Sequence, residues 1–114
     1  MLVNYVSADF NGDHKLDYAL ILEDTKNDFA VWVLQSEGSA YQAIRLHEIE
    51  GATLPIDMGL ELVPKGELDY IDLDADDTKT ITLKYQALQV SFFERAAATY
   101  YWQNGKYKSV TTGD

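Results

Sequence analysis

Short stretches in which apolar and polar residues alternate run along most of the chain, separated by clusters of polar, turn-forming residues. Successive side chains of a strand point to opposite faces of a sheet, so this alternation predicts β-strands. The clearest examples are residues 3–8, 18–22 and 29–34. Both alternating sets of residues 29–34 are apolar, which predicts a central strand with neighbours on both sides.

Polar residues 35–39 predict a hairpin loop, and Ile44 and Leu46 in the strand that follows are expected to face the core. Further short strands are predicted at residues 60–63 and 80–85. Residues 67–77 are strongly acidic, and a solvated hairpin turn is predicted at residues 74–78, since clusters of charge usually lie on the surface.

Residues 86–98 permit two alternatives. Leu88, Val90 and Phe92 alternate as in a strand, whereas Leu88, Phe92 and Ala96 have the i, i+4 spacing of a helix. The period-two pattern favours the strand.

Asn104-Gly105 lies between residues 99–102 and 106–110, and this dipeptide favours a type I′ hairpin turn because both central residues need positive φ. Together these elements predict a mainly β chain, a single antiparallel β sandwich or open barrel of roughly seven to nine strands with room for one short helix. A length of 114 residues is consistent with one domain over residues 1–114.

Composition narrows the classes of partner. Nineteen acidic and nine basic residues give a net charge of −10, which disfavours binding to nucleic acid or to an anionic membrane and favours cations and basic proteins. A hydrophobic content of 46% is too high for a disordered chain, and no apolar run approaches the ~20 residues of a spanning helix. The absence of cysteine excludes disulfides, thiolate metal sites and a thiol nucleophile.

Residues 9–17 carry the most specific chemical signal in the chain. Side-chain oxygens occur at positions 1, 3, 5 and 9 of this stretch, and position 7 can offer a backbone carbonyl. Calcium takes 6–8 oxygen ligands, so this spacing predicts a calcium site. The candidate ligands are Asp9, Asn11, Asp13, the carbonyl of Lys15, and Asp17.

The loop is not an EF-hand, because position 12 is Leu20 rather than a bidentate Glu. Asp9-Phe10-Asn11-Gly12-Asp13 with Asp17 resembles instead the calcium loop of FG-GAP and VCBS-type repeats, in which a strand follows. This resemblance implies a structural calcium ion. His14 departs from the pattern, since the family has Gly there to allow positive φ.

The segment 100–107 also resembles the closing hairpin of uncharacterised bacterial exported proteins that carry one such loop near their start. That resemblance implies an extracytoplasmic location, periplasmic or secreted, and no known enzymatic activity. The chain itself shows no secretory signal, because Met1 and Leu2 lead directly into a predicted strand. A cytosolic protein and an exported one whose leader has been removed remain alternatives.

Other features suggest weaker candidates. The acidic residues 69–77 could contact a basic enzyme, and Glu61 with Asp69 is a candidate carboxylate pair for a hydrolase. His14 and His47 lack the spacing of a triad or a zinc site. No known nucleophile elbow, phosphate-binding loop or metalloprotease motif occurs.

Aromatic residues are abundant near the carboxyl end, and an outward-facing set among Tyr101, Trp102 and Tyr107 would mark a face that binds sugar or protein. The sequence thus predicts a non-enzymatic, calcium-stabilised exported module that binds a protein or carbohydrate ligand or serves as a structural part. The alternative is an acidic inhibitor or immunity-like protein that binds a basic enzyme.

Overall fold

A computed structural model describes residues 2–23, 29–49, 58–92 and 96–113 of the chain. These residues form ten strands and, within those ranges, no helix. The strands are β1 (Leu2–Ala8), β2 (Asp17–Glu23), β3 (Phe29–Glu37), β4 (Ala40–Ile49), β5 (Met58–Val63), β6 (Gly66–Asp72), β7 (Asp77–Leu83), β8 (Ala87–Phe92), β9 (Ala96–Gln103) and β10 (Lys106–Gly113).

The first sheet is an antiparallel meander of four strands in the order β1-β2-β3-β4. The predicted central position of residues 29–34 is confirmed, because β3 pairs with β2 on one side and β4 on the other. Val31 and Val33 on β3 are fully buried. On β4, Leu46 packs against the core as expected and Ile44 is half-buried.

The prediction of a hairpin loop over residues 35–39 is wrong at its start. Strand β3 continues to Glu37, and the turn comprises only Gly38 and Ser39. Gln35 and Ser36 pair with β4 and are almost completely buried. The side chain of Gln35 accepts a hydrogen bond from Tyr107, and that of Ser36 donates one to Asp17. Polar residues here therefore belong to a buried strand and not to a loop.

The second sheet has six strands in the order β5-β8-β9-β10-β6-β7. Strands β5 and β8 pair up to Val63↔Ala87, and β6 and β7 pair from Gly66↔Leu83 onward. The β5–β8 pair and the β6–β7 pair are therefore halves of one long two-stranded ribbon. The ribbon is interrupted at residues 64–65 on one strand and at residues 84–86 on the other. We call this interruption the corner.

The ribbon bends at the corner, because β6 also pairs in the antiparallel sense with β10 through Thr111↔Ile71. A straight ribbon would carry β6 and β7 away from the rest of the sheet, since β9 and β10 lie beside the β5–β8 half. The register of β8 with β9 places the corner at the same end of the sheet as the turn that joins β9 to β10.

Most predicted strands are confirmed, and the all-β class with two antiparallel sheets fits a sandwich rather than a closed barrel. The strand alternative holds for the described part of residues 86–98, where β8 and the start of β9 lie. Asn104 and Gly105 have φ of 53° and 81°, as a type I′ turn requires.

The ten described strands exceed the predicted seven to nine, because no strand is predicted at the start of the acidic stretch 67–77, where β6 lies. Exposed Glu67 and Asp69 alternate there with half-buried Leu68 and Tyr70. The acidic side chains occupy one face of a strand whose other face is partly covered. The turn itself is confined to residues 73–76.

One apolar cluster joins the two sheets. Its buried members come from β1, the loop after it, β2, β3, β5 and β8: Ala8, Phe10, Ala19, Ile21, Val31, Val33, Leu60, Leu88 and Val90. Burial of apolar area stabilises the fold by about 25 cal/mol for each Å² removed from water. Among the described residues, no helix is long and apolar enough to cross a membrane.

Replacing Leu88 by Ala should lower the free energy of unfolding by roughly 2–5 kcal/mol, because it leaves a cavity in this cluster. Leu73, which is 64% exposed in the β6–β7 turn, provides the matched control. Leu73→Ala should change the free energy of unfolding by no more than ~0.5 kcal/mol. Urea unfolding of both variants measures the difference, and equal losses would contradict this assignment of the core.

Candidate cation site

The loop between β1 and β2 is folded around the carboxylate of Asp9. One oxygen of Asp9 accepts hydrogen bonds from the backbone N–H groups of Gly12 at 2.8 Å and Asp13 at 3.2 Å. The other oxygen accepts from the N–H of His14 at 2.8 Å. A single side chain thus satisfies three successive loop donors, which holds residues 9–14 in a tight turn.

Two loop residues have positive φ, Gly12 at 80° and His14 at 65°. The expectation that the backbone enters this region at position 14 is therefore right, and His14 adopts it although it carries a Cβ. Gly12 has a second constraint, since a Cβ added there would overlap the ring of Tyr85 at the corner. The loop and the corner are consequently in direct contact.

The middle of the loop is exposed and held by shorter-range bonds. Asn11 Oδ1 accepts from the N–H of Asp13 at 3.3 Å, and Asp13 Oδ1 accepts from the N–H of Lys15 at 2.9 Å. The Lys15 ammonium donates to the carbonyl of Gly38 at 2.7 Å. Lys15 therefore ties the loop to the β3–β4 turn.

Asp17 begins β2 and is completely buried. Its Oδ2 accepts from the N–H of Phe10 at 2.8 Å, and its Oδ1 accepts from the N–H and the hydroxyl of Ser36 at 2.8 and 3.0 Å. A buried carboxylate is costly unless hydrogen bonds compensate for lost hydration. These three donors, from the loop and from β3, supply that compensation.

Ser36 was missed by the sequence analysis, which assigned it to a loop. Its hydroxyl lies within hydrogen-bonding distance of both Asp13 Oδ2 and Asp17 Oδ1. The bond from Ser36, together with bonds from the Lys15 N–H and Asn11, holds the pKa of the Asp13 carboxyl below its ordinary value of 3.8 against a smaller effect of burial. No local motif could identify Ser36, because its partners lie 19 and 23 residues away.

The donor chemistry of this loop fits a hard cation. A carboxylate has about four lone-pair sites, and the hydrogen bonds described above use three on Asp9, at most two on Asp13 and at most three on Asp17, because the one Ser36 hydroxyl proton is shared between the last two. Each carboxylate therefore retains free acceptor capacity. Among the described residues, however, no three acidic or histidine side chains are grouped closely enough to hold a metal ion by themselves. Asn11 and the Lys15 carbonyl would be needed as additional ligands.

The loop also influences the contact between the sheets through Tyr107 on β10. The phenol donates to Gln35 Oε1 on β3 at 2.5 Å, and its ring meets Trp102 edge to face at a centroid distance of 5.0 Å. Burial raises the pKa of Tyr107 well above its ordinary value, and the negative charges of Asp17, Asp9 and Asp13 raise it further. The charges of all three loop carboxylates thus contribute to the raised pKa of the Tyr107 phenol.

The other sequence candidates lie apart from this loop. The acidic residues 69–77 surround the exposed β6–β7 turn, where Asp72 accepts from the N–H groups of Asp74 and Ala75 and from Lys79. The bond from Lys79, followed by the backbone N–H bonds, lowers the pKa of Asp72, and the Asp72 carboxylate raises the pKa of Lys79. This is the solvated hairpin turn that the sequence favours.

The carboxylate pair proposed for a hydrolase is not brought together on neighbouring strands. Glu61 lies on β5 and Asp69 on β6, and Asp69 accepts a hydrogen bond from the Thr80 hydroxyl at 2.6 Å. Of the histidines, His14 lies in the loop and the backbone of His47 lies in β4.

Comparison of the chain with protein-family models, with curated proteins and with solved structures found no match.

Replacing Asp17 by Asn should lower the free energy of unfolding by roughly 2–3 kcal/mol, because an amide N–H₂ would face backbone donors in a buried site. Asp13→Asn is the matched control on an exposed residue and should cost under about 1 kcal/mol. Denaturant unfolding in EDTA measures both. A loss for Asp17→Asn no larger than that for Asp13→Asn would show that the buried carboxylate does not organise the loop.

Stability should also fall at alkaline pH because of Tyr107. A group whose pKa is raised by folding contributes stability that is complete below its unfolded value, here 10.0, and is lost as the pH rises beyond it. Tyr107→Phe keeps the ring but removes the ionisable group, so its free energy of unfolding should decline less steeply above pH 10. Part of the decline should remain, since burial also raises the pKa of Tyr100. Identical slopes in urea unfolding would contradict this role.

Proposed function

We propose that this chain is a non-enzymatic β module stabilised by calcium, which is held by the loop at residues 9–17. The observation that carries the proposal is the fold of that loop. Asp9 gathers three successive N–H groups, and positive φ occurs at Gly12 and His14. Asp17 closes the loop where β2 begins. The ligands are the side chains of Asp9, Asn11, Asp13 and Asp17 with the carbonyl of Lys15.

A calcium ion would neutralise the negative charges of the loop carboxylates and link the residues that bind it. Two unit charges 4 Å apart interact by about 4 kcal/mol at an effective dielectric constant of ~20, so three carboxylates in one short loop repel one another appreciably. A divalent cation converts that repulsion into attraction. Oxygen donors on a flexible loop are the ligands that calcium accepts most readily.

The contacts of the loop explain why order there would stabilise the whole fold. Ser36 and Lys15 join the loop to β3 and to the β3–β4 turn. Tyr85 packs on Gly12 from the second sheet. A calcium ion that fixes the loop would therefore strengthen contacts within the first sheet and between the two sheets.

The proposed setting is extracytoplasmic, periplasmic or secreted, where calcium is plentiful. The support is the resemblance of the loop and of the closing hairpin to exported bacterial proteins.

Millimolar calcium should raise the melting temperature by several degrees relative to EDTA, since a ligand at 100 times its Kd adds about 2.7 kcal/mol to the free energy of unfolding. Magnesium should produce a smaller rise, because it requires stricter octahedral geometry. Asp13→Ala should abolish the calcium effect, whereas Asp74→Ala in the β6–β7 turn should retain it.

Scanning calorimetry of these proteins tests the proposal. Absence of a calcium-dependent rise in the unmodified chain would refute it. A rise that persists in Asp13→Ala would assign the ion to another part of the molecule.

A further inference from the structure

Two cavities adjoin at the corner of the bent ribbon. The first has a volume of about 330 Å³. The corner and the end of β7 line one side of it, and the end of β9 with the turn that follows lines the other. The other, of about 580 Å³, lies between the corner and the loop at residues 9–14. Lys84 and Tyr85 line both cavities, so the two lie side by side, and we call them together the corner groove. Each part falls within the ~300–1,000 Å³ of typical ligand pockets.

Aromatic rings form the floor and walls of the corner groove. Tyr85 lines both cavities and its ring lies against Gly12, and Tyr101 and Trp102 line one of the two cavities. Trp102 is held edge to face by Tyr107. These rings are therefore positioned before any ligand arrives, which reduces the entropy lost on binding.

The remaining lining is mainly polar, with Pro64 as an apolar member and Asp9 as its one acidic residue. Side-chain amides and a hydroxyl come from Gln86, Gln103, Asn104 and Thr82. Of the described residues that line the groove, none is Leu, Ile, Val or Met. The groove thus offers little aliphatic surface to a lipid chain or an aliphatic peptide segment. A sugar ring, with an apolar C–H face and a rim of hydroxyls, matches aromatic rings flanked by amides.

The charge of the groove differs from that of the whole chain. Lys65, Lys84 and His14 line it, and the one acidic lining residue is Asp9, whose oxygens already accept three backbone hydrogen bonds. The chain as a whole has a net charge of −10. Lysines concentrated against that background favour a ligand that carries carboxylates.

We propose that the corner groove binds an acidic oligosaccharide, with sugar rings on Tyr85 and Trp102 and a sugar carboxylate paired with Lys84. The inference rests on the proposed function in treating the chain as a binding module, and it names the class of ligand. It does not require calcium, because none of the groups that would contact the sugar is a proposed calcium ligand.

The test is a titration of the full chain with tetragalacturonic acid in EDTA, followed by calorimetry and by tryptophan fluorescence. The fluorescence titrations use the Trp32→Phe variant, in which Trp102 is the one remaining tryptophan. Trp32 lies under Arg45 in the first sheet and does not line the groove. We expect saturable binding at one site with a change in Trp102 emission. The neutral sugar cellotetraose should bind about tenfold more weakly, since a charge-assisted hydrogen bond is lost.

Two lysine variants locate the site. Lys84→Gln should weaken binding by about tenfold, as expected for loss of a charged hydrogen-bond donor. Lys79→Gln, on the β6–β7 hairpin outside the groove, is the matched control and should leave the affinity within about twofold, because salt-screened surface charges act weakly at a distance. Both lysines are exposed, so the variants should retain the melting temperature of the parent chain.

Three results would overturn the proposal. These are no saturable binding in either EDTA or calcium, equal binding of the neutral sugar, and binding that is insensitive to Lys84→Gln. Equal affinity for a tetraglutamate peptide would assign the groove to acidic peptides instead. Failure of the calcium-dependent rise in melting temperature, by contrast, concerns only the loop and leaves these titrations interpretable.

Discussion

The buried carboxylate of Asp17 is the interaction on which this architecture depends. It accepts from the N–H of Phe10, which starts the β1–β2 loop, and from the N–H and hydroxyl of Ser36 near the end of β3. Without Asp17, the N–H groups of Phe10 and Ser36 would lie in the interior without this acceptor, at a cost of about 1–3 kcal/mol for each. The need of these donors for a buried acceptor determines where the loop closes, where β2 begins and how far β3 extends.

Contacts beyond Asp17 concentrate at one end of the molecule. Gln35, next to Ser36, binds the Tyr107 phenol of the second sheet, and Tyr107 supports Trp102. Gly12, within the loop, supports Tyr85. The proposed calcium loop and the corner groove therefore share a framework although they share no essential ligand. A substitution at Asp17 would therefore affect both the loop and the groove, whereas a substitution of an exposed lysine in the groove would affect the groove alone.

Local patterns were sufficient for elements whose neighbours lie close in sequence. Alternation identified β2 and the interior of β3, Asn104-Gly105 identified the last hairpin, and the FG-GAP-like spacing anticipated positive φ at His14. Features that depend on distant partners were not accessible. Strand β6 was hidden by acidic residues on its exposed face, and Ser36 acquires its role from residues 19 and 23 positions earlier. The bend at the corner likewise becomes visible only through the pairing of β6 with β10.

That bend gives the second sheet an arm with its own conformational behaviour. The β6–β7 hairpin is joined to the ribbon at the corner, and its backbone register with the rest of the sheet consists of the pair Thr111↔Ile71. Segments with few buried apolar contacts and few shared hydrogen bonds open at lower free energy than the global unfolding transition. The hairpin would thus lift as a unit while the cluster around Leu88 stays packed. Amide protons of β10 near Thr111 would then exchange with solvent on a faster timescale than those shared by β8 and β9.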